Sequence, residues 1–218
     1  FCCGPRSRLG RAHLKPSDTE VIRLTLNDDV TTPSGLKRAK EAVRAHDCTL
    51  WVSIPCTGGS PWQTVNRSKP GGAKRVREHH KRWKAIWAAL EEVAEECHKH
   101  GGKIAVEWPT NCKYWKEARV VAFKKRYGLI YAFLDGCAVG LKSDENIPIK
   151  KPWTIATNHE PLWKAMNGRK CPGPEQHPCH QQCEGKHTQK TEEYTDYFAR
   201  LVHGAIQIKE VMMSMAAM

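Results

Sequence analysis

From about Arg75 to His100 the residues Trp83, Ile86, Trp87, Leu90, Val93, Ala94 and Cys97 recur at helical spacing, and an apolar strand-like run stands on either side. The run before it is Thr49-Leu50-Trp51-Val52, and the run after it begins at Lys103 and closes on Glu107-Trp108-Pro109. Gly101-Gly102 stops the helix. The remaining signals continue the alternation. Glu20 to Leu26 reads as a strand ending at Asn27-Asp28-Asp29. Thr32-Pro33-Ser34-Gly35 opens a helix through about Ala45, with Leu36, Ala39 and Val43 on one face. A helix is expected from about Trp115 to Tyr127, strands over Leu129 to Leu134 and Trp153 to Thr157, and a last helix from about Thr191 to Ile208. Strands alternating with helices predict an α/β domain with a mostly parallel sheet and helices on both faces. Three parts are expected: a core over 1–165, a Cys/His-rich loop over 166–190, and a C-terminal helix over 191–218 packing back on the core.

The chemistry concentrates where strands end. Pro55-Cys56-Thr57-Gly58-Gly59-Ser60 follows the Thr49 strand, so a thiol stands at the carboxyl edge of the sheet, where open α/β sheets bind ligands. A loop leading toward a helix start offers backbone N–H groups to a thiolate. Gly58 and Gly59 would let a substrate approach the backbone, and Asn66 could orient the loop. Glu107 closes the next strand, placing a carboxylate in the same sheet. A structural cysteine in a turn is the plain alternative for Cys56.

These residues resemble a family. Pro55-Cys56, a small-residue loop with Ser60, and Asn66 look like the catalytic motif of cytosine C5 methyltransferases, and Val106-Glu107-Trp108-Pro109 sits where that family has Glu-Asn-Val. The resemblance implies a Rossmann-type methyltransferase sheet, S-adenosylmethionine (SAM) as cofactor, attack by Cys56 on C6 of a base, and Glu107 hydrogen-bonded to N3 and the exocyclic amine. Phe1-Cys2-Cys3-Gly4-Pro5-Arg6-Ser7 resembles the family's cofactor loop, so Phe1, Cys3, Gly4, Ser7 and Pro55 are implied cofactor contacts, with Asp28 and then Asp29 for the ribose. Thr57 stands in place of the family's Gln, Trp108 in place of its Asn, and there is no room for a long target-recognition domain. Those departures motivate a second expectation: an inactive nucleic-acid-binding module of a larger viral or mobile-element polyprotein. The start at Phe1 reads as the middle of a strand-to-loop transition in a longer chain. A thiol hydrolase pairing Cys56 with His159 is a third class.

The segment from Cys171 to His187 holds three Cys and three His within 17 residues and few aliphatics. Thiolates and imidazoles at that density suit zinc. The expected ligands are Cys171, His177, Cys179 and Cys183, with His180 or His187 as substitutes, in a structural rather than catalytic role. Of the 10 cysteines, Cys48, Cys97 and Cys137 lie in apolar context and read as reduced core residues, which favours a reducing compartment, nucleus or cytoplasm.

The net charge is +12, with 35 Lys and Arg, which favours a polyanionic partner, DNA or RNA. Arg67, Lys69, Lys74, Arg75 and Arg77, followed by Lys81 and Arg82, directly follow the Cys56 loop and could grip phosphates. Trp62 and Trp108 are candidates to stack on a base, Trp62 the better one, while Trp83 and Trp87 at i and i+4 belong to a core. No apolar run approaches the roughly 20 residues of a membrane helix.

Overall fold

The long amphipathic signal becomes α3, Gly72–Lys99, and its seven expected apolar residues are all buried. In this computed structural model, residues 1–207 are described, apart from Cys3, Pro5, Ala12, His46, Gly185, Lys186, His187, Gln189 and Lys190. The strands are β1 (Thr49–Val52), β2 (Lys103–Pro109), β3 (Ile130–Asp135) and β4 (Pro152–Thr157). The other helices are α1 (Pro33–Ala42), α2 (Gln63–Arg67), α4 (Ala118–Arg126), α5 (Glu160–Met166) and α6 (Asp196–Ile206).

The sheet order is β1-β2-β4-β3. It is a mixed sheet, not the mostly parallel one expected. β1 and β2 are parallel, joined by the α3 crossover, but β4 runs antiparallel to both β2 and β3. The connection from β3 to β4 lacks a long helix, so β4 returns as a reversed strand. β1, β2 and β3 therefore share one direction. Their carboxyl ends and the amino end of β4 form a single rim, since Pro109 pairs with Trp153 and Asp135 with Pro152.

The pleat sends alternate side chains into two cores. Leu50, Val52, Ile104, Val106 and Trp108 meet α1, α3 and α4, whereas Ala105, Trp153, Ile155 and Leu134 meet α5 and α6. Helices thus cover both faces, as expected. Residues 19–25 form no strand, which corrects the reading of Glu20 to Leu26; Leu24 is the buried residue of that stretch. The first expected helix ends at Ala42 rather than Ala45. Thr32 caps it by accepting from the Gly35 N–H at 3.2 Å. The last helix starts at Asp196, capped by Thr195, so Thr191 to Thr195 is an irregular strap leading into it. Its expected end at Ile208 lies outside the described residues.

Candidate functional site

β1 delivers the chain to the rim, and Cys56 caps a short 3₁₀ turn, Thr57–Gly59. Hydrogen bonds from Asn66 Nδ2 to Gln63 Oε1 (3.2 Å) and from Gln63 Nε2 to the Thr57 carbonyl (2.7 Å) tie α2 to this turn. Gly58 and Gly59 serve packing rather than substrate approach. A Cβ on Gly58 would fall 2.1 Å from the Tyr114 hydroxyl, and one on Gly59 would fall 2.7 Å from Cys112 Sγ. Tyr114 fills the space that the two glycines would otherwise open to a ligand. Its own hydroxyl is buried and has no hydrogen-bond partner among the described residues.

Cys56 is half-buried and packs at the margin of the α3-side core. Burial pushes its thiol up to about 11; the positive charge of Lys151 opposes that rise, and the nearby Glu107 adds to it. At neutral pH Cys56 is therefore a thiol. Glu107 is 8% exposed and lies on the other face of the sheet, opposite Ile155. Tyr194 donates its hydroxyl to Glu107 Oε2 at 2.8 Å and shares a 2.7 Å hydrogen bond with Ser53 Oγ, while the Trp51 indole donates to Ser53 Oγ at 2.9 Å. Burial raises the Glu107 carboxyl above its usual range, against the opposing effects of Lys151 and the Tyr194 hydroxyl. Cys56 and Glu107 thus reach the rim from the two faces of the sheet; both feel the positive charge of Lys151, and Cys56 also feels that of Glu107. Tyr194 has φ +64°, a left-handed conformation unusual for a non-glycine residue, and it stacks on Phe198. The strap thereby lays a phenol over the buried acid.

The residues implied as cofactor contacts scatter into local duties. Phe1 is buried beside β1, its amino group donating to the Trp51 carbonyl (2.7 Å) and its carbonyl accepting from Ser53 N–H (3.1 Å). Gly4 and Pro55 are exposed. Ser7 is buried, its hydroxyl without a hydrogen-bond partner among the described residues. Cys3 lies outside the described residues. Asp28 accepts from the Thr25 N–H at 2.9 Å and pairs with Arg38 at 3.2 Å. Asp29 is held below the usual carboxylate range by the Thr31 hydroxyl and N–H. No strand precedes the two acids; Asp28 has both carboxylate oxygens engaged, whereas the exposed Asp29 is engaged through Oδ1.

The basic residues fare differently. Arg67, Lys69, Lys74, Arg75 and Arg77 are all exposed, and none enters an ion pair among the described residues. The carboxyl-terminal half of α3 is paired instead, with Glu92 bound to Lys40 and Glu96 to Arg44, both at 2.6 Å. The unneutralised charge therefore lies at the end of α3 that packs on the Cys56 turn. Trp62 is 63% exposed, as a stacking platform requires. It lines a cavity of about 270 Å³ together with Lys150 and residues His180 to Glu184. Trp108 is a correction: it is buried, with its indole N–H donated to the Ile54 carbonyl at 2.6 Å, and cannot stack on a base. His159 sits past the end of β4, at the opposite rim from Cys56, where its Nδ1 caps α5 by accepting from the Leu162 N–H at 3.3 Å. That removes the thiol–histidine pair.

A second constellation is a Cys/His cluster that could hold a metal ion, of a composition compatible with zinc. Cys137, Cys171, His177 and His180 bring their ligand atoms within 4.8 Å of one another. Cys171 and His177 are expected ligands, and His180 is one of the two substitutes. Cys137 reads in sequence as a core cysteine, because it lies far from the loop in an apolar context, and no local signal marks it as a ligand. Two of the expected ligands stand outside the cluster: Cys179 is exposed, and Cys183 places its sulfur 3.6 Å from the Thr191 hydroxyl. His187 lies outside the described residues. No helix is long and apolar enough to cross a membrane among the described residues. No protein-family model, curated protein or solved structure matches the chain.

Proposed function

We propose that this chain is a nucleic-acid-binding domain of cytosine C5 methyltransferase type, in which Cys56 adds to a pyrimidine base and Glu107 assists. The observation that carries this reading is the shared rim: a thiol just past β1 and a carboxyl on the adjacent parallel strand β2, both within the field of Lys151 and the thiol within that of the carboxyl. The exposed cations of α2 and α3 and the open Trp62 stand beside that rim, as phosphate contacts and a stacking surface would. The base would have to leave its stack to reach the thiol.

The chemistry follows from the two groups. The Cys56 sulfur forms a bond to C6, the C5–C6 double bond opens, and the proton lost by the thiol is balanced by one gained at C5. Glu107, whose carboxyl burial shifts toward the protonated form, would share a proton with N3 as electron density moves into the ring. Tyr194 must release Glu107 for that contact. Lys151 stabilises the thiolate that attacks. SAM, the methyl donor of the family resembled, would supply an electrophilic methyl group; of the two acids implied at its ribose, Asp28 is held by Thr25 and Arg38. Zinc is the ion we assign to the Cys/His cluster, in a structural role, since protein donors can fill all four positions.

The engagement of Asp28 by Thr25 and Arg38 and of Glu107 by Tyr194 favours a second reading, a binding module without methyl transfer. Titration calorimetry with SAM and transfer of labelled methyl groups to DNA and RNA separate the two. The first reading expects methylated product that disappears in Cys56→Ala. Absence of both SAM binding and transfer, together with salt-sensitive nucleic-acid binding, selects the second.

A further inference from the structure

We propose that Cys137, Cys171, His177 and His180 form a tetrahedral Cys₂His₂ zinc centre that clamps the 171–183 loop onto the carboxyl rim of the sheet. This rests on the zinc assignment above and not on the methyl-transfer reading.

The spacing of the donors is that of ligands around one ion. With Zn–S near 2.3 Å and Zn–N near 2.0–2.1 Å, a tetrahedral angle separates sulfur from nitrogen by about 3.6 Å. Cys171 Sγ lies 3.6 Å from His177 Nδ1 and 3.4 Å from His180 Nε2. The two rings stand perpendicular, at 88°, with centroids 5.6 Å apart, and their ligand nitrogens lie within 4.8 Å of the two sulfurs and of each other. Two thiolates cancel the charge of the dication, which suits a site where Cys137 is buried and the other three ligands are half-buried.

The ligands come from two places. Cys137 lies in the 3₁₀ turn Gly136–Val139, directly after β3, and is fixed by the core. The other three come from a loop with almost no aliphatic residues. Outer contacts hold that loop in register: the Cys171 N–H donates to buried Asp135 Oδ2 (2.9 Å), the Asp135 N–H to the Arg169 carbonyl (2.8 Å), and the Gln181 N–H to the Pro148 carbonyl (2.9 Å). Gly173, at φ +98°, makes the turn between the first ligand and the histidines, where the His177 N–H donates to the Gly173 carbonyl (2.9 Å). The ion supplies the cross-link that hydrophobic contacts cannot, and it fixes one wall of the cavity facing Trp62.

Metal content, cobalt(II) spectra and hydrogen exchange test this on the whole chain. The purified protein is expected to carry about one equivalent of zinc. Its cobalt(II) form is expected to show the visible bands of a tetrahedral site and thiolate charge transfer. Cys137→Ser and His180→Ala are expected to retain less than about half an equivalent, whereas Cys179→Ser and Cys183→Ser keep the full complement. His180→Ala keeps the test decisive should the buried Cys137→Ser variant misfold. Chelation is expected to speed amide exchange over 135–141 and 169–183 while α3 stays protected. A metal-free protein, a six-coordinate cobalt spectrum, loss of metal in Cys179→Ser with retention in His180→Ala, or unchanged exchange after chelation would each overturn the proposal. None of these readouts depends on methyl transfer.

Discussion

Burial shifts Cys56 and Glu107 in the same direction, toward the protonated form. For Cys56, burial favours the thiol, so its nucleophilicity should climb with pH toward about 11 rather than level off near neutrality. Alkylation by iodoacetamide, followed by peptide mass spectrometry, is expected to accelerate about tenfold per pH unit in the neutral to mildly alkaline range. Lys151→Met removes the cation that favours the thiolate and is expected to slow alkylation at any one pH; an equal rate would contradict the shared field. For Glu107, the folded pKa lies above the ordinary 4.5. The folded protein therefore holds a proton that the unfolded chain releases. The stabilisation is complete below 4.5 and is lost as pH rises through the folded value. Thermal unfolding of the native chain should show a falling midpoint across that window, and Glu107→Gln, which mimics the protonated acid, should flatten it.

At the scale of elements, the Cys56 turn and the 3₁₀ segment Lys113–Lys116 after β2 are locked together through Gly58 and Tyr114. Gly58→Ala is expected to destabilise by about 1–3 kcal/mol, a fall of several degrees in Tm for a domain of this size. Tyr114→Phe removes a buried hydroxyl that has no partner among the described residues and should change stability by less than about 1 kcal/mol. Combined, the two should cost less than their sum, and strict additivity in the double-mutant cycle would contradict the contact. This pair also marks where the sequence is legible. α3 and β2 can be read because their spacing reports a buried face directly. The glycines look like a substrate approach because nothing local reveals that Tyr114, more than fifty positions on, fills the gap. The reversal of β4 depends on pairing partners rather than on its own alternation, so its direction is not readable. Cys137 escapes as a ligand for the same reason, since its partners come from a loop that sequence spacing does not connect to it. Glu20 to Leu26 alternates like a strand, yet no neighbouring strand accepts it, and pattern alone cannot supply the partner.

At the scale of the molecule, charge is segregated: the cations of α2 and the start of α3 enter no ion pair among the described residues, while the far half of α3 is neutralised by Lys40 and Arg44. Exposed ion pairs of that kind contribute little stability. The unneutralised cations should instead appear in nucleic-acid affinity. Replacing Arg67, Lys69, Lys74, Arg75 and Arg77 by Gln is expected to flatten the dependence of log affinity on log salt. The slope should fall by about 0.9 for every duplex-DNA phosphate that these side chains neutralise, with the unfolding midpoint nearly unchanged; an unaltered slope would place the nucleic-acid face elsewhere. Trp62→Ala should weaken single-strand binding by about 1–3 kcal/mol. The chemistry proposed above turns on a thiol that adds reversibly to C6 of a base, a step that would exchange the C5 hydrogen with solvent and require no methyl donor. The measurement is deuterium uptake at C5 of cytosine in single-stranded DNA and RNA incubated with the protein in heavy water, read by mass spectrometry. Uptake by the native chain that is abolished in Cys56→Ala and slowed in Glu107→Gln is the predicted result; no uptake, or uptake undiminished in Cys56→Ala, would contradict it.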